Sequence, residues 1–373
     1  MEANNLKHTP LHSRHVALGA LMQPFGGWDM PIQYSSIIDE HNAVRHDCGV
    51  FDVSHMGEVT VRGNDAERFV NHIFTNDVAQ MTAGKILYGM MLYPDGGTVD
   101  DLLVYKMGDN DYFLVINAAN TDKDVAWIKE QSAGFDVTIA DVSDSYGQLA
   151  VQGPAAQAVM EEVLGIACAE LVFYTSKTLP SSKTKMTQPN ETIIVSRTGY
   201  TGEDGFEIYG SGALICDAWD KLMASGRCKP CGLGCRDTLR FEVGLPLYGN
   251  ELSAQISPVM AGLSIFCKLQ KAEFIGKDTI VKEKTDGVKK KVVGIELSSR
   301  AVPRHGYAVI ADGKEIGYVT TGYHSISTDK SVCMALVDIE HSKIGTPVEV
   351  QIRKKTFAGT VVKKKFYDKH YKK

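Results

Sequence analysis

The stretch Leu92-Tyr-Pro-Asp-Gly-Gly-Thr-Val-Asp-Asp-Leu-Leu-Val-Tyr105 constrains this chain more than any other. A Pro-Asp-Gly-Gly turn feeds a run of β-formers, and two adjacent carboxylates, Asp100 and Asp101, stand where the strand begins. Side chains alternate faces along a strand, so a strand starting near Val99 turns only one of the two inward. An inward carboxylate costs free energy unless it is hydrogen-bonded, paired or offered to a ligand. Capping of its own turn through backbone N–H groups is the competing account for either residue.

A chain of 373 residues can bury a large core, and the usual domain size points to two or three domains. The net charge of -5 provides no bulk positive field, so nucleic acid is not an expected partner. No apolar run is long enough to span a membrane, and Met1 to His8 carries no signal-peptide core. The expected location is the cytoplasm, or the mitochondrial matrix if a presequence has been removed. Eight cysteines are too dilute for a disulfide scaffold. The cluster Cys228/Cys231/Cys235 has no second CxxC pair to complete a tetrahedral site, so it reads as small thiols around a tight turn, and no metal is expected.

Periodicity predicts a helix from Leu11 to Met22, a packed loop over Pro24 to Pro31 and a second helix from Ser35 to Val50. A strand-like run covers Val50 to Val61. A helix over Asp65 to Ile73, a hairpin from Leu87 to Met91 and Thr98 to Tyr105, a strand at Phe113 to Val115 and a helix from Thr121 to Gln131 follow, as in a split β-α-β unit. Strands at Phe135 to Ile139, Tyr146 to Val151, Ile193 to Val195 and Phe206 to Tyr209 alternate with helices after Gly153-Pro154 and over Gly212 to Met223. Lys177 to Asn190 reads as an exposed loop, Cys235 to Val243 as a helix, and the Lys-rich span Lys282 to Lys291 as a linker or surface loop. Six short β-runs beyond it, with no long helix between them, predict a small all-β barrel. Residues 351 to 373 hold nine Lys or Arg, either a solvated face and tail or a surface that meets something acidic.

Dinucleotide, P-loop, zinc-hydrolase and serine-hydrolase motifs are all absent from the sequence. The chemistry must rest on less specific groups. Ser196-Arg-Thr-Gly-Tyr-Thr-Gly-Glu-Asp-Gly-Phe-Glu-Ile-Tyr209 brings Tyr200, Glu203 and Asp204 beside three glycines, either as a plain hairpin or as a ligand loop. On a helix Arg236 and Arg240 share a face, and Arg240 offers a planar fork for a carboxylate or, alternatively, belongs to a surface ion network.

These blocks occur in a familiar order. Leu6-Lys-His-Thr-Pro-Leu11, Phe51-Asp-Val-Ser-His-Met56, Gly96-Gly-Thr-Val-Asp-Asp-Leu-Leu-Val104, Arg197-Thr-Gly-Tyr-Thr-Gly-Glu-Asp-Gly205, Arg236-Asp-Thr-Leu-Arg-Phe-Glu242, Leu245-Pro-Leu-Tyr-Gly-Asn250 and Pro303-Arg-His-Gly-Tyr307 resemble aminomethyltransferase, the T-protein of the glycine cleavage system. The resemblance implies an α+β protein of three domains around a central cavity. Two are α/β, split β-α-β-like domains (1–52 plus 139–281, and an inserted 53–138); the third, 282–373, is a small β barrel. It implies transfer of the one-carbon unit from the aminomethyl-dihydrolipoyl arm of the H-protein to tetrahydrofolate, releasing ammonia and forming 5,10-methylenetetrahydrofolate. Lipoylated H-protein and folate are the implied partners, with no nucleic acid, membrane or metal.

By the same resemblance Asp101 is the key carboxylate at the reduced pterin, Met56, Tyr88 and Asn117 line its pocket, and Tyr200 belongs to the ligand loop. Glu203 is expected at the pterin amino edge, Arg240 at the ligand, and Tyr371 beside it from the C-terminus. Ile265 replaces a Trp usual in the family, and Met260 stands where Glu is frequent. A folate-dependent demethylase on the same fold and a non-catalytic folate-binding regulatory protein are the alternatives.

Overall fold

In the computed structural model, which describes residues 6–188 and 190–372, three β systems enclose one opening. Part of the N-terminal reading and the last lysine of the basic tail lie outside the described residues. The Pro-Asp-Gly-Gly turn joins Ile86–Leu92 to Thr98–Gly108, the first two strands of a five-stranded antiparallel sheet. Asp111–Ile116, Gly57–Arg62 and Thr138–Asp141 complete it in that order. Helices Ala66–Ile73 and Thr121–Glu130 cover one face through Phe69, Val70, Ile73 and Ile128.

A six-stranded sheet runs Ser176–Pro180, Thr192–Ser196, Gly205–Gly210, Gly147–Gln152, Gly49–Asp52 and Lys229–Pro230, with only the last pairing parallel. Ala156–Val163 and Gly212–Ser225 pack on it through Val159, Leu214, Ala218 and Trp219. The uncovered faces of the two sheets meet each other, with Tyr105, Phe113 and Val115 against Ile194 and Tyr209. Burial on both faces explains why Thr98–Gly108 lacks a clean alternation.

The run from Val50 to Val61, expected as one strand, is two. Asp52 accepts the amide of Ser54 at 2.9 Å and is fixed by Thr9 and His15, so the chain turns at Val53 and crosses from one sheet to the other. It re-enters the six-stranded sheet at Gly147. Pro24 to Pro31, expected as a loop, is the tip of a hairpin, Leu21–Phe25 with Trp28–Gln33, because Gly26 and Gly27 supply the positive φ of 57° and 87° that a two-residue turn demands. That hairpin also cuts the first helix to His12–Ala17. Lys177–Pro180, assigned to a loop, instead pairs as an edge strand with Thr192–Ser196.

The closed six-stranded barrel, Lys290–Leu297, Ser331–Asp338, Lys314–His324, Ala308–Ala311, Pro347–Ile352 and Lys355–Val362, is the predicted β domain. The Lys-rich span before it is no linker. Lys282 to Asp286 finish the helix Lys277–Asp286, which is anchored by buried Ile280. Ile280, Met90, Leu92, Phe241, Val292 and Met334 form one apolar cluster that ties all three parts together.

The central turn is seated against a segment that precedes the barrel. The amide of Thr98 donates to Ser253 O at 2.9 Å, and a Cβ added to Gly97 would stand 2.0 Å from Ala254 O. Gly97→Ala is therefore expected to lower stability by about 2–3 kcal/mol, read from the denaturant midpoint at unchanged slope. An unaltered midpoint would mean that this seam yields freely.

Candidate active site

The opening is a cavity of about 880 Å³ to which all three parts contribute. The five-stranded sheet brings Tyr88, Asp101, Leu103 and Asn117; the other α/β part brings Tyr200, Glu207 and Arg236; the barrel brings Tyr323. Mostly apolar walls with a few convergent polar groups suit a small organic ligand of fixed orientation.

Both paired aspartates are enclosed, because both faces of their sheet are covered; the one-in, one-out expectation does not hold. Asp100 is fully buried and accepts from Asn117 N at 3.0 Å, Asn117 Nδ2 at 2.8 Å and Asn120 Nδ2 at 2.8 Å. Asp101 faces the cavity, where Tyr88 donates its hydroxyl at 2.9 Å and Asn117 Nδ2 lies 3.1 Å away. Burial, and then the charge of Asp100, push the Asp101 carboxyl up to about 7. Behind them, burial, and then the charge of Asp100, push the Asp124 carboxyl up to about 10, against Lys123, whose Nζ lies 2.6 Å from Oδ1.

A second polar cluster lies on the wall. Glu207 accepts the Thr198 hydroxyl at 2.5 Å and Gln148 Nε2 at 3.2 Å, and burial raises its carboxyl above the usual range against those bonds. Arg236 stacks on Tyr200, its Cζ 4.9 Å from the ring, and its buried Nη1 finds no acceptor among the described residues. A buried guanidinium donor without a partner is costly. Burial lowers His55 to about 4, so that ring is neutral, with Nδ1 likewise unpartnered.

Of the residues named from the sequence, Met56, Tyr88, Asp101, Asn117, Tyr200 and Tyr371 line this cavity. Tyr371 is stacked on Phe173 with ring centroids 4.3 Å apart. Glu203 and Arg240 are not on its wall. Glu203 is engaged by Arg45 Nη1 at 3.0 Å and by His370, in a seam that holds the C-terminal tail. Arg240, wholly buried, bonds Asp237 at 2.7 Å, Glu251 at 2.8 Å and Thr321 at 3.0 Å, clamping the helix Leu233–Glu242 to the barrel.

Glu207 and Arg236, each inside one of the same two motifs, do line the cavity. Strand alternation turns Gly205, Glu207 and Tyr209 to one side, but which carboxylate of Glu203, Asp204 and Glu207 meets the cavity depends on where the strand starts. Ile265 is 72% exposed and contributes no ring, whereas its neighbour Phe266 lines the cavity edge-on to Tyr88, centroids 4.9 Å apart.

Comparison with known proteins accounts for this architecture along its whole length. Residues 11–271 match the GCVT N-terminal domain, and residues 290–368 match the glycine cleavage T-protein C-terminal barrel domain. The chain belongs to the glycine cleavage T-protein family. It is 48% identical over 371 residues to an aminomethyltransferase of Alkaliphilus oremlandii, covering 99% of each chain, and 46% identical over 367 residues to one of Lysinibacillus sphaericus, covering 98% of each. The crystal structure of glycine cleavage system aminomethyltransferase T from Bartonella henselae superposes with a TM-score of 0.92 at 31% identity, covering 99% of this chain and 100% of that one.

As a T-protein the chain is a folate-dependent transferase with tetrahydrofolate as its acceptor substrate. Nothing in these relatives supports the demethylase or the non-catalytic reading. No described helix is long and apolar enough to cross a membrane.

Proposed function

We propose that the cavity seats the pterin of tetrahydrofolate between Glu207, Arg236 and Asp101 while the dihydrolipoyl arm of an H-protein delivers the aminomethyl group. The observation that carries this reading is the placing of a buried carboxylate acceptor, Glu207, and a buried guanidinium, Arg236, among the residues that line one cavity. A 2-amino-4-oxo pterin presents adjacent N–H donors and a carbonyl acceptor, the complement of that pair. Tyr200 and Phe266 supply flat apolar surface for its faces. Lys369, also on the wall, is suited to the carboxylates of the folate tail.

In the transfer two amine nitrogens of the folate, N5 and N10, each bond to the methylene carbon as the carbon–nitrogen and carbon–sulfur bonds of the donor break, and the proton that each nitrogen gives up passes to the departing amine or to the sulfur. Ammonia leaves, and the sulfur returns to the carrier as a thiol. Asp101, held by Tyr88 and Asn117, orients the attacking nitrogen and stabilises the positive charge that grows on the one-carbon centre. Its raised pKa lets it take or give a proton near neutrality.

Purified protein supplied with tetrahydrofolate and aminomethylated H-protein is expected to release ammonia and form methylenetetrahydrofolate in equal amounts. Absence of acceleration over the uncatalysed reaction would overturn the reading. Turnover of dimethylglycine or a sulfonium compound without the carrier would favour a demethylase instead.

A further inference from the structure

Glu207 stands at the end of a buried ring of hydrogen bonds that the transfer chemistry does not use. Thr198 Oγ1 lies 2.6 Å from Ser196 Oγ, Ser196 3.1 Å from the Tyr105 hydroxyl, and Tyr105 2.8 Å from the Tyr209 hydroxyl. Gln148 closes the ring, its Nε2 3.1 Å from Tyr209 and 3.2 Å from Glu207.

Each hydroxyl has one hydrogen, and that fixes every direction once Glu207 is ionised. Thr198 donates to Glu207, so Ser196 must donate to Thr198, Tyr105 to Ser196 and Tyr209 to Tyr105. Gln148 then gives its two amide hydrogens to Tyr209 and Glu207. Turned the other way, the amide would set its oxygen against the carboxylate. If Glu207 were protonated and donated to Thr198, the chain would reverse, and the Tyr209 hydrogen would point at the Gln148 donor.

We propose that Tyr105, Ser196 and Tyr209, none of which reaches the cavity wall, are positioning residues that hold Glu207 in its ionised, acceptor-only form. The inference rests on the folate reading of the cavity and adds what makes that seat work at neutral pH. All three side chains are buried, and their donated hydrogens run in relay to Thr198, whose hydroxyl donates to Glu207, in a low-dielectric setting where such chains strengthen one another. They act against burial, which favours the neutral acid. The other titratable groups coupled to Glu207 are Arg236, from the helix Leu233–Glu242, and Tyr174, from the loop before Ser176. Arg236 favours the same ionised form; Tyr174, raised beyond the physiological range, stays neutral.

The test is the KM for tetrahydrofolate between pH 6 and 9, with aminomethylated H-protein saturating. Tyr105→Phe keeps the ring that packs edge-on to Phe113 and removes only the hydroxyl. It is expected to raise KM about tenfold at pH 7, with the defect shrinking toward pH 9 as Glu207 ionises unaided, while kcat stays within about twofold. Ser196→Ala, which breaks the same chain one link nearer, is expected to do likewise and decides the matter if Tyr105→Phe does not fold. Glu207→Gln should raise KM at every pH. If Glu207→Gln weakens binding while both hydroxyl variants keep the wild-type KM and pH profile, the positioning role is refuted and the folate seat stands. If Glu207→Gln changes nothing, the folate seat fails and this role fails with it.

Discussion

Asp101→Asn is expected to fold normally and lose one-carbon transfer by at least about a hundredfold, the scale of removing one aligned acid–base or charge-stabilising group. The amide keeps the shape and its oxygen accepts from Tyr88 as before, while Asn117 Nδ2, now facing an NH2 group, is held by its bonds to Asp100 Oδ1 and Asp101 O. What disappears is the negative charge that, in the proposed reaction, stands opposite the one-carbon centre. Tetrahydrofolate KM should move far less than kcat, because the proposed seat on Glu207 and Arg236 is untouched. Unchanged turnover would remove Asp101 from the reaction.

Stability provides an independent check with the opposite sign. The folded-state pKa of Asp101 is raised to about 7 from 3.8, so its ionisation costs stability progressively as pH rises through that interval, and the whole cost is present above it. The neutral amide never ionises. Asp101→Asn is therefore expected to gain on the wild type in thermal midpoint above pH 7 and to lose that advantage toward pH 4. A variant less stable at pH 8 than the wild type would mean that the charge is compensated in the fold and is not held in reserve for a ligand.

The barrel, the alternating helices and strands and the Asp100-Asp101 turn were legible because each is local: turn chemistry, period and run length act within a dozen residues. What escaped was set by tertiary contact. The hairpin at Gly26-Gly27 reads as a loop because its strands are short and Pro-containing; Lys282 to Lys291 reads as a linker or surface loop because the helix Lys277–Asp286, whose end it overlaps, buries little besides Ile280. Asp100 and Asp101 look like an inside–outside pair until the second sheet covers the far face.

The site follows the same division. Motif order pointed to the family, but the choice of Glu207 over Glu203 and Arg236 over Arg240 is a matter of which side of an element meets the cavity. Glu203 and Arg240 carry the same chemistry and share the same short motifs. The fold puts one member of each pair on the wall and the other in a clamp.

The clamp that holds Glu203 can be broken at Arg45. Its guanidinium donates to Thr201 O at 2.6 Å, Glu203 at 3.0 Å, Leu239 O at 3.1 Å and Glu242 at 3.1 Å, with the Tyr367 ring stacked 4.5 Å from Cζ. Arg45→Met fills similar volume but leaves two buried carboxylates facing each other without their cation, expected to cost about 3–5 kcal/mol. Burial raises Glu242, yet bonds from His41, Ser327 and Ser325 hold it down to about 2, which favours its charged form. Lys, with one compact ammonium, cannot serve four acceptors in the plane of a guanidinium, and Arg45→Lys should recover little. The damage should also reach the cavity. Phe366 and Tyr367 donate their amides to Glu242 O and His370 donates to Gly202 O, so this seam carries the tail that delivers Lys369 and Tyr371 to the wall. Amide exchange at 366, 367 and 370 should therefore accelerate, and tetrahydrofolate KM should rise, although Arg45 itself is not on that wall. Fast exchange with an unchanged KM would mean that the tail is dispensable for the folate; protected amides in a destabilised protein would mean that Arg45 braces the two α/β parts and not the tail.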